Sequence, residues 1–343
     1  MNAPVAASAP SSLATRRGVV LVNIGTPDAP TVPAVRKYLA EFLGDPRVID
    51  LPAPARWLLL RLIILPFRPK RSAHAYQQIW TPEGSPLLLH AQAQVDALRK
   101  ELPGYEVELA MRYGNPSLPD VLQRLRERGV RELTVVPMYP QFAFATTGTT
   151  VERIEELKAE LQVNVVPAFH AREGFIAAAS ARVRETVERS GAEHVLFSYH
   201  GLPVRQLKPV CASPCAQQEC PPLGAQNAQC YRAQCYATSR ALAAASGVKS
   251  SSTSFQSRLK GATWLSPFTD EAVVALAQQG VKRLAVACPS FVADCLETLE
   301  EIGMRAQETF KAAGGESLTL VPAVNAAPGF ISMLADEVRR STP

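Results

Sequence analysis

The sequence predicts an α/β protein made of two similar Rossmann-like domains, each with a parallel sheet flanked by helices. Short apolar strand patterns alternate with helical patterns along the chain, which is the order expected of parallel sheets covered on both faces. The length of 343 residues fits two domains of ordinary size. A weak internal repeat also relates the two halves of the chain.

The strands and helices follow from local composition and hydrophobic period. Segments with the β-branched, apolar character of buried strands are Gly18–Asn23, Val107–Met111, Leu133–Pro137, Val163–Val166, His194–Tyr199, Thr253–Gln256, Leu284–Ala287 and Leu318–Val321. Helical patterns between most of them are Leu118–Arg128, Val151–Leu161, Ile176–Arg189, Tyr231–Ala245, Asp270–Gln278 and Leu296–Ala312. We therefore expect a disordered tail at 1–17, domains at 18–160 and 161–325, and a C-terminal helix at 326–343.

The repeat consists of two matches in the same order. Leu21–Pro27 resembles Phe197–Pro203, because each is an apolar strand that ends in Gly-x-Pro. Further along, a proline precedes a Gly-Val pair by 13 residues in both halves, at Pro116 and at Pro267. Chance similarity between βα units is the alternative to duplication. Duplicated halves would meet at a cleft, with active residues at the carboxyl ends of strands.

Composition excludes several classes of protein. The net charge of +5 comes without a basic cluster, so nucleic acid is not an expected partner. No segment has the ~18 consecutive apolar residues of a membrane span. The first 17 residues lack the apolar core of a secretory signal. We expect a cytoplasmic protein, in which thiols stay reduced, so the seven cysteines point to metal binding or chemistry before disulfides.

Two segments at strand ends are candidates for chemistry. His200 ends a predicted strand where the other half carries Ile24, so the turn itself does not require a histidine. A neutral imidazole there could accept a proton or bind a metal, and a purely structural histidine is the alternative. Glu297 could place a carboxylate opposite it, a pair that suits transient Fe²⁺. The alternative for Glu297 is a helix cap shared with Asp294.

Other polar and aromatic residues also follow predicted strands. Arg112 and Tyr113 lie at one strand end, and Trp264 follows another. The hydroxyl cluster at 146–150 could bind ligand carboxylates or cap the helix that begins near Val151.

An insertion at 208–235 holds most of the cysteines. Its thiols are separated by 3, 4, 9 and 4 residues, at Cys211, Cys215, Cys220, Cys230 and Cys235. The segment is too polar to fold by apolar burial, so a bound group is needed to order it. Four thiolates suit a [2Fe-2S] cluster or Zn²⁺. A loose loop with free thiols is the alternative.

The stretch Trp57–Phe67 is apolar on nearly every side and contains Arg61. A buried helix is the usual explanation of such a pattern. The competing explanation is an exposed lip at the mouth of the cleft, which would contact the bilayer.

Together these segments resemble the ferrochelatase family. The matching pieces run in order along the chain and are Leu21–Pro27, Gly84–Pro86, Arg112–Tyr113, Tyr139–Gln141, Thr146–Gly148, Ser198–Pro203, Phe255–Ser257, Trp264–Leu265 and Asp294–Leu299. The resemblance implies two α/β domains around a porphyrin cleft. It also implies insertion of Fe²⁺ into protoporphyrin IX, the last step of haem biosynthesis. The rivals are a coproporphyrin or other tetrapyrrole chelatase, and a non-catalytic haem or iron–sulfur protein.

The resemblance also assigns roles to residues. It makes His200 and Glu297 the iron-site pair, with His200 as acceptor of pyrrole protons and Asp294 as support for Glu297. It places four residues in or near the porphyrin pocket, namely Ile24, Arg112, Tyr113 and Trp264. Many members have histidine where this chain has Cys295, which puts the support of the iron site in doubt.

Two further features gain weight from the resemblance. Some ferrochelatases carry a [2Fe-2S] cluster, which favours that cofactor over zinc, held by Cys211, Cys215, Cys220 and Cys230. Cys235 is left out because it falls within the next predicted helix. The resemblance also favours the lip at 57–67, and with it a peripheral contact with the inner face of the membrane.

Overall fold

The computed structural model describes residues 16–211, 220–258 and 262–341, which form two parallel four-stranded sheets. The first sheet has the order β2-β1-β3-β4 and the second the order β6-β5-β7-β8, so the two sheets share one topology. The predicted fold class is confirmed, and each predicted strand overlaps an observed one. The strands are β1 (Arg16–Thr26), β2 (Tyr105–Gly114), β3 (Val130–Pro137), β4 (Gln162–Val165), β5 (His194–His200), β6 (Ser251–Gln256), β7 (Arg283–Ala287) and β8 (Ser317–Leu320).

Helices cover both sheets. They are α1 (Val32–Gly44), α2 (Ala53–Leu59), α3 (Leu65–Ile79), α4 (Pro86–Glu101), α5 (Leu118–Glu127), α6 (Thr149–Leu157), α7 (Glu173–Ser190), α8 (Tyr231–Ser246), α9 (Thr269–Gln278), α10 (Leu296–Leu299), α11 (Gln307–Ala312) and α12 (Pro328–Ser341). Short π-helical segments lie at Leu60–Ile64, Phe144–Gly148 and Glu301–Ala306. In the described part of the chain, none of the helices has the length and apolar character needed to cross a membrane.

The central strands are buried on both faces. In β1 the run from Val19 to Val22 is fully buried, as expected of a parallel strand between two helical layers. Local signals fix the helix ends around the sheets. The hydroxyl of Ser117 accepts a hydrogen bond from the backbone N–H of Asp120 at the start of α5, and α7 ends at Gly191 in the left-handed conformation.

The two halves share part of their structure. β4 pairs with β3, so the first sheet extends past the expected border at residue 160. The C-terminal helix α12 packs against α4 of the first half and α7 of the second. Phe330 on α12 is fully buried in a cluster that includes Leu21 and Phe175. This helix therefore joins the two halves through a common apolar core.

The repeated Gly-x-Pro turns end equivalent strands, and both need glycine. A Cβ atom on Gly25 would lie 1.8 Å from the carbonyl oxygen of Tyr113, and one on Gly201 would lie 2.7 Å from that of Gln256. Either approach is too close for a side chain. The preceding residues, Ile24 and His200, are thereby held at the carboxyl ends of the central strands.

Candidate functional site

His200 is the last residue of β5 and is half-buried. Its Nδ1 atom lies 2.7 Å from the carbonyl oxygen of Gly201. Because a carbonyl can only accept, Nδ1 carries the proton and Nε2 keeps its lone pair when the ring is neutral. The backbone of His200 is fixed as well, since its N–H donates to the hydroxyl of Ser290 (3.2 Å) and its carbonyl accepts from the hydroxyl of Tyr231 (2.8 Å). The ring is thus oriented to offer one basic nitrogen.

Glu297 lies in the first turn of α10, after the loop that follows β7. The helix cap is formed by Cys295 and Thr298, whose hydroxyl accepts a hydrogen bond from the Cys295 N–H at 3.0 Å. A cap shared by Asp294 and Glu297 was the structural alternative for this segment, and it is wrong. The half-buried carboxylate of Glu297 is therefore not used in capping.

Asp294 is buried directly before the cap. Its carboxylate accepts hydrogen bonds from the hydroxyl of Thr298 (3.1 Å), the amide of Asn325 (2.8 Å) and the backbone N–H of Ala323 (3.3 Å). Thr298 is the neighbour of Glu297 in the same turn. These bonds tie the start of α10 to the segment after β8, which is the arrangement expected of a residue that supports Glu297.

Glu301 is a site residue that the sequence analysis missed. Its carboxylate accepts hydrogen bonds from the Ser257 N–H (2.9 Å) and hydroxyl (2.6 Å). Burial raises its pKa, the Ser257 hydroxyl and His200 lower it, and Glu297 raises it further. The Glu301 carboxylate therefore lies within electrostatic range of both predicted iron-site residues.

Local sequence favours solvated side chains for Glu300 and Glu301, since both follow Glu297 on a short helix, and the structure contradicts this. Glu300 is buried and pairs with Arg305 at 2.7 Å. The spacing of four residues between Glu297 and Glu301 was an available signal, because side chains so spaced lie on one face of a helix. In this helix the backbone changes to π-helical geometry at Glu301.

Two tyrosines and an arginine from the first half face Glu297. Burial raises the pKa of Tyr38 and of Tyr76, and Glu297 contributes in the same direction to both. Burial lowers the pKa of Arg68, and Glu297 opposes this. The Arg68 guanidinium makes no hydrogen bond or ion pair to any residue that the structure describes. It is a half-buried cation within electrostatic range of Glu297.

Arg112 and Tyr113 are committed to a buried network around Asp45. The Asp45 carboxylate pairs with Arg112 Nη2 (2.6 Å) and accepts hydrogen bonds from the hydroxyls of Tyr113 (2.9 Å) and Thr149 (2.7 Å). Burial raises the pKa of Asp45 and these hydrogen bonds outweigh it, so the net direction is down. The side chain of Tyr113 is almost fully buried. A contact of either residue with porphyrin stays a prediction.

The remaining predicted pocket residues lie beside this site. Ile24 packs with Leu296 and Tyr76 in one apolar cluster and with Cys295 in another. Trp264 is half-buried, forms a backbone bridge with Pro203, and has a buried indole N–H without a partner among the described residues. The hydroxyls at 146–150 do not cap α6, which has no side-chain cap.

The cysteine-rich segment is described only in part, because Cys215 lies outside the described residues. Cys220 Sγ accepts a hydrogen bond from Arg232 Nη1 at 3.1 Å. Burial raises the pKa of Cys220, Arg232 opposes this, and the thiols of Cys230 and Cys211 add to the rise. Cys211 and Cys230 are therefore each within electrostatic range of Cys220. Within the described ranges no group of three His, Cys, Asp or Glu side chains could hold a metal ion, so these three are not a complete ligand set.

Cys235 differs from the other cysteines of the segment. It lies within α8, as expected, and is fully buried in the apolar core of the second half. Burial raises the pKa of its thiol well above the usual value. Cys230 and Cys220 raise this pKa further and Arg232 opposes the rise, so Cys235 is a core residue within electrostatic range of two predicted ligands.

The stretch Trp57–Phe67 forms an exposed apolar lip across α2, the π-helical segment and the start of α3. Leu62 and Ile63 are 60% and 59% exposed, and Phe67 is 74% exposed, whereas Leu60 is buried against α1. The exposure of these side chains contradicts a buried helix, and the place of the lip at the mouth of a porphyrin cleft stays a prediction. A groove of about 750 Å³ separates the lip from α1 and is bordered by Arg36, Arg56 and Arg61.

Comparison with known proteins decides the family. The family model described as Ferrochelatase matches residues 16–342. The chain belongs to the ferrochelatase family. Among curated relatives, ferrochelatases from Coxiella burnetii, Pseudomonas putida and Opitutus terrae are 43%, 45% and 46% identical. These alignments cover 94% of this chain and 93%, 98% and 97% of the relatives.

Solved structures support the fold alone. SirB from Bacillus subtilis with Fe³⁺ matches with a TM-score of 0.55 at 12% identity, covering 95% of this chain and 96% of SirB. The sirohydrochlorin chelatase SirB from the subspecies spizizenii, in complex with cobalt, gives 0.54 at 11% identity, covering 95% of both chains. Membership of the ferrochelatase family makes the chain a porphyrin metal chelatase, an enzyme of haem biosynthesis.

Proposed function

We propose that this ferrochelatase inserts Fe²⁺ into protoporphyrin IX to form protohaem, with His200 as the base and Glu297 as an iron ligand. The observation that carries the proposal is the fixed tautomer of His200, which offers a basic Nε2 within electrostatic range of Glu301, and the Glu301 carboxylate is in turn within electrostatic range of Glu297. A protein that only bound haem would not need a base next to two acidic side chains.

Metal insertion requires that two pyrrole protons leave the porphyrin as one Fe²⁺ enters. His200 Nε2 accepts a proton from a pyrrole nitrogen, and Glu301, within electrostatic range of His200, stabilises the imidazolium that results. Glu297 attracts the ferrous ion as substrate. Few protein ligands are needed, because the porphyrin supplies four nitrogens and water completes the shell until transfer. The second proton leaves by the same base after the first has passed to solvent.

The apolar and cationic groups suit the chemistry of the porphyrin. A flat apolar ring with carboxylates at one edge needs an apolar cleft with a few polar groups. Ile24 and Trp264 supply apolar surface near the site. Arg68 supplies a cation for a substrate carboxylate, since it has no ion pair within the described residues.

One anaerobic assay tests the activity. Purified enzyme is mixed with Fe²⁺ and either protoporphyrin IX or coproporphyrin, and the porphyrin absorbance bands are followed. Turnover with protoporphyrin as the better substrate is expected. Faster turnover with coproporphyrin would reassign the substrate, and stoichiometric binding without turnover would support a haem-binding protein.

We also propose that the lip contacts the membrane surface. Residues 51–82 contain, besides Arg61, three more arginines and one lysine, and they contain no acidic residue. The apolar side chains beside these cations are exposed. An exposed apolar face flanked by cations is typical of segments that bind anionic bilayers. The contact would be peripheral, at the inner face of the membrane.

A [2Fe-2S] cluster held by Cys211, Cys215, Cys220 and Cys230 is the proposed cofactor. The cation Arg232, which donates a hydrogen bond to Cys220 Sγ, supports it, since an anionic cluster is stabilised by nearby positive charge. The cluster would order the insertion. No step of the reaction is assigned to it.

A further inference from the structure

Gln94 on α4 links the first half of the molecule to the loop that carries the iron site. Its side chain is fully buried, and its Nε2 donates to the carbonyl oxygens of Val292 (2.9 Å) and Asn325 (3.0 Å). Both acceptors belong to the second half, in the segments that follow β7 and β8. The Gln94 amide group therefore binds both the loop after β7 and the loop after β8, which are distant in sequence and adjacent in the folded chain.

The two loops lead directly to Glu297. Asn325 donates from its side-chain amide to Asp294 Oδ2 (2.8 Å) and accepts from the Asp294 N–H (3.0 Å). Asp294 in turn accepts from the hydroxyl of Thr298 in the turn that holds Glu297. Asn325 also has a left-handed backbone, with φ of 45°, which is uncommon outside glycine and needs support from its surroundings.

Other contacts of α4 reach the predicted porphyrin wall. Leu87 on α4 packs with Ala293 and Cys295, and Ile24 packs against the same cluster. At the start of the helix, the hydroxyls of Ser85 and Thr26 are 2.8 Å apart. The helix therefore touches both the end of β1 and the loop before Glu297.

We propose that Gln94 is a positioning residue for the iron-binding carboxylate, and that α4 couples porphyrin seating against the first half to the placement of Glu297. This inference rests on the proposed function. Gln94 contacts neither substrate nor reacting atoms. It acts by fixing Val292 and Asn325, which hold Asp294 and the start of α10.

The variant Gln94→Met separates this role from a contribution to folding. Methionine keeps the length of the side chain but cannot donate, and it also removes Gln94 Oε1, which is buried without a partner among the described residues. The Val292 carbonyl still accepts from the Asn325 N–H at 2.9 Å. Most of the packing is therefore kept while the bonds to the iron-site loops are lost.

The kinetic test compares the two substrates. For Gln94→Met, kcat/KM for Fe²⁺ is expected to fall about tenfold to a hundredfold, as for groups that orient metal ligands indirectly. KM for protoporphyrin should stay within about twofold of the parent value, an expectation that follows from the absence of a substrate contact. The matched control is Gln92→Met, on an exposed face of the same helix, where the one side-chain hydrogen bond lost to a described residue is that to Asp96.

Binding of Co²⁺ without porphyrin, followed by its visible absorption, gives a readout that is independent of turnover. Gln94→Met is expected to bind Co²⁺ more weakly than the parent and Gln92→Met do. The part of the absorption signal that is lost in His200→Ala identifies Co²⁺ bound at the iron site. A parental Fe²⁺ dependence and parental Co²⁺ affinity in a folded Gln94→Met would overturn the inference. Failure of the parent to metallate porphyrin while Co²⁺ binding still weakens would instead count against the proposed function.

Discussion

The carboxylate of Glu301 is held by Ser257 through two hydrogen bonds, one from the backbone N–H at 2.9 Å and one from the hydroxyl at 2.6 Å. Ser257 can direct both donors at one carboxylate because its backbone is left-handed, with φ of 65°. The contact joins the end of β6 to the π-helical segment after α10. It fixes an acidic side chain near His200 that local sequence would place on a solvated helix.

Glu301→Gln is therefore expected to lower kcat on the order of tenfold to a hundredfold, the range for groups that orient or stabilise a metal-site residue. The amide keeps the shape but loses the charge that stabilises protonated His200. Steady-state measurements of kcat across pH, made on the parent and on both variants, check this. Glu297→Gln should lower kcat more than Glu301→Gln does.

Glu300→Gln is the matched control for both acidic variants. It loses an ion pair with Arg305, whose guanidinium also reaches Glu301 at 4.0 Å, but it keeps the charge of Glu301, so its main effect should be on the melting temperature. Should Glu300→Gln reduce turnover more than Glu297→Gln, the wrong carboxylate has been assigned to iron.

His200→Ala should abolish metallation while leaving the fold intact. The loss of a positioned base costs about a hundredfold to ten-thousandfold in rate. Among the described residues, the His200 side chain makes a local hydrogen bond to the Gly201 carbonyl and a ring contact with Phe291, so circular dichroism should match the parent. Added imidazole should restore part of the activity, and substantial turnover at pH 7 without imidazole would remove His200 from the mechanism.

The strands were predictable from sequence because buried parallel strands are continuous apolar runs, as at Val19–Val22. The position of His200 was also predictable, since the repeat aligned it with Ile24. Helices α1 and α4 were missed. α4 begins with Pro86, and its buried residues Leu87, Ala91, Val95 and Leu98 repeat every three or four positions, so its helical period was present in the sequence.

The site residues that the sequence could not reveal depend on distant partners. Arg112 finds Asp45, 67 residues earlier, and Glu301 finds Ser257, 44 residues earlier. The helix cap was assigned to Asp294, but Asn325 and Thr298 bind that carboxylate and leave capping to Cys295. Such choices are made by tertiary contacts, which outweigh local preference.

The lip is expected to be important for membrane contact and unimportant for stability. Changing both Leu62 and Ile63 to Ser should alter the free energy of unfolding by no more than about 0.5 kcal/mol per site, because both side chains are exposed. Binding to liposomes with anionic lipids should weaken, and porphyrin uptake from vesicles should fall more than uptake from detergent.

Leu60→Ser is the contrasting variant within the same stretch. Leu60 is buried, so this change should cost on the order of 2–4 kcal/mol of stability. Unchanged liposome binding by the Leu62 and Ile63 double variant would exclude the lip as a membrane contact.

The cluster proposal predicts a reddish-brown protein with about two irons and two acid-labile sulfides per chain. Serine at Cys211, Cys215, Cys220 or Cys230 should each remove the colour. Cys235→Ser should keep it, because that thiol is buried in the core around α8. Zinc by elemental analysis, without labile sulfide, would contradict an iron–sulfur centre.

Stability should fall in mild acid because of His170. Burial, aided by Arg172, lowers the pKa of His170 to about 4 from an ordinary value of 6.5. Between these values the unfolded chain binds the proton and the folded chain does not, so stability is lost as pH falls. The full difference in the free energy of unfolding is up to about 3 kcal/mol, at 1.36 kcal/mol per pKa unit.

Urea unfolding of His170→Gln should show a free energy of unfolding that depends less on pH between pH 6.5 and 4. The variant His74→Gln, at an exposed histidine, should follow the parent. Equal slopes for the parent and His170→Gln would show that other groups cause the acid sensitivity.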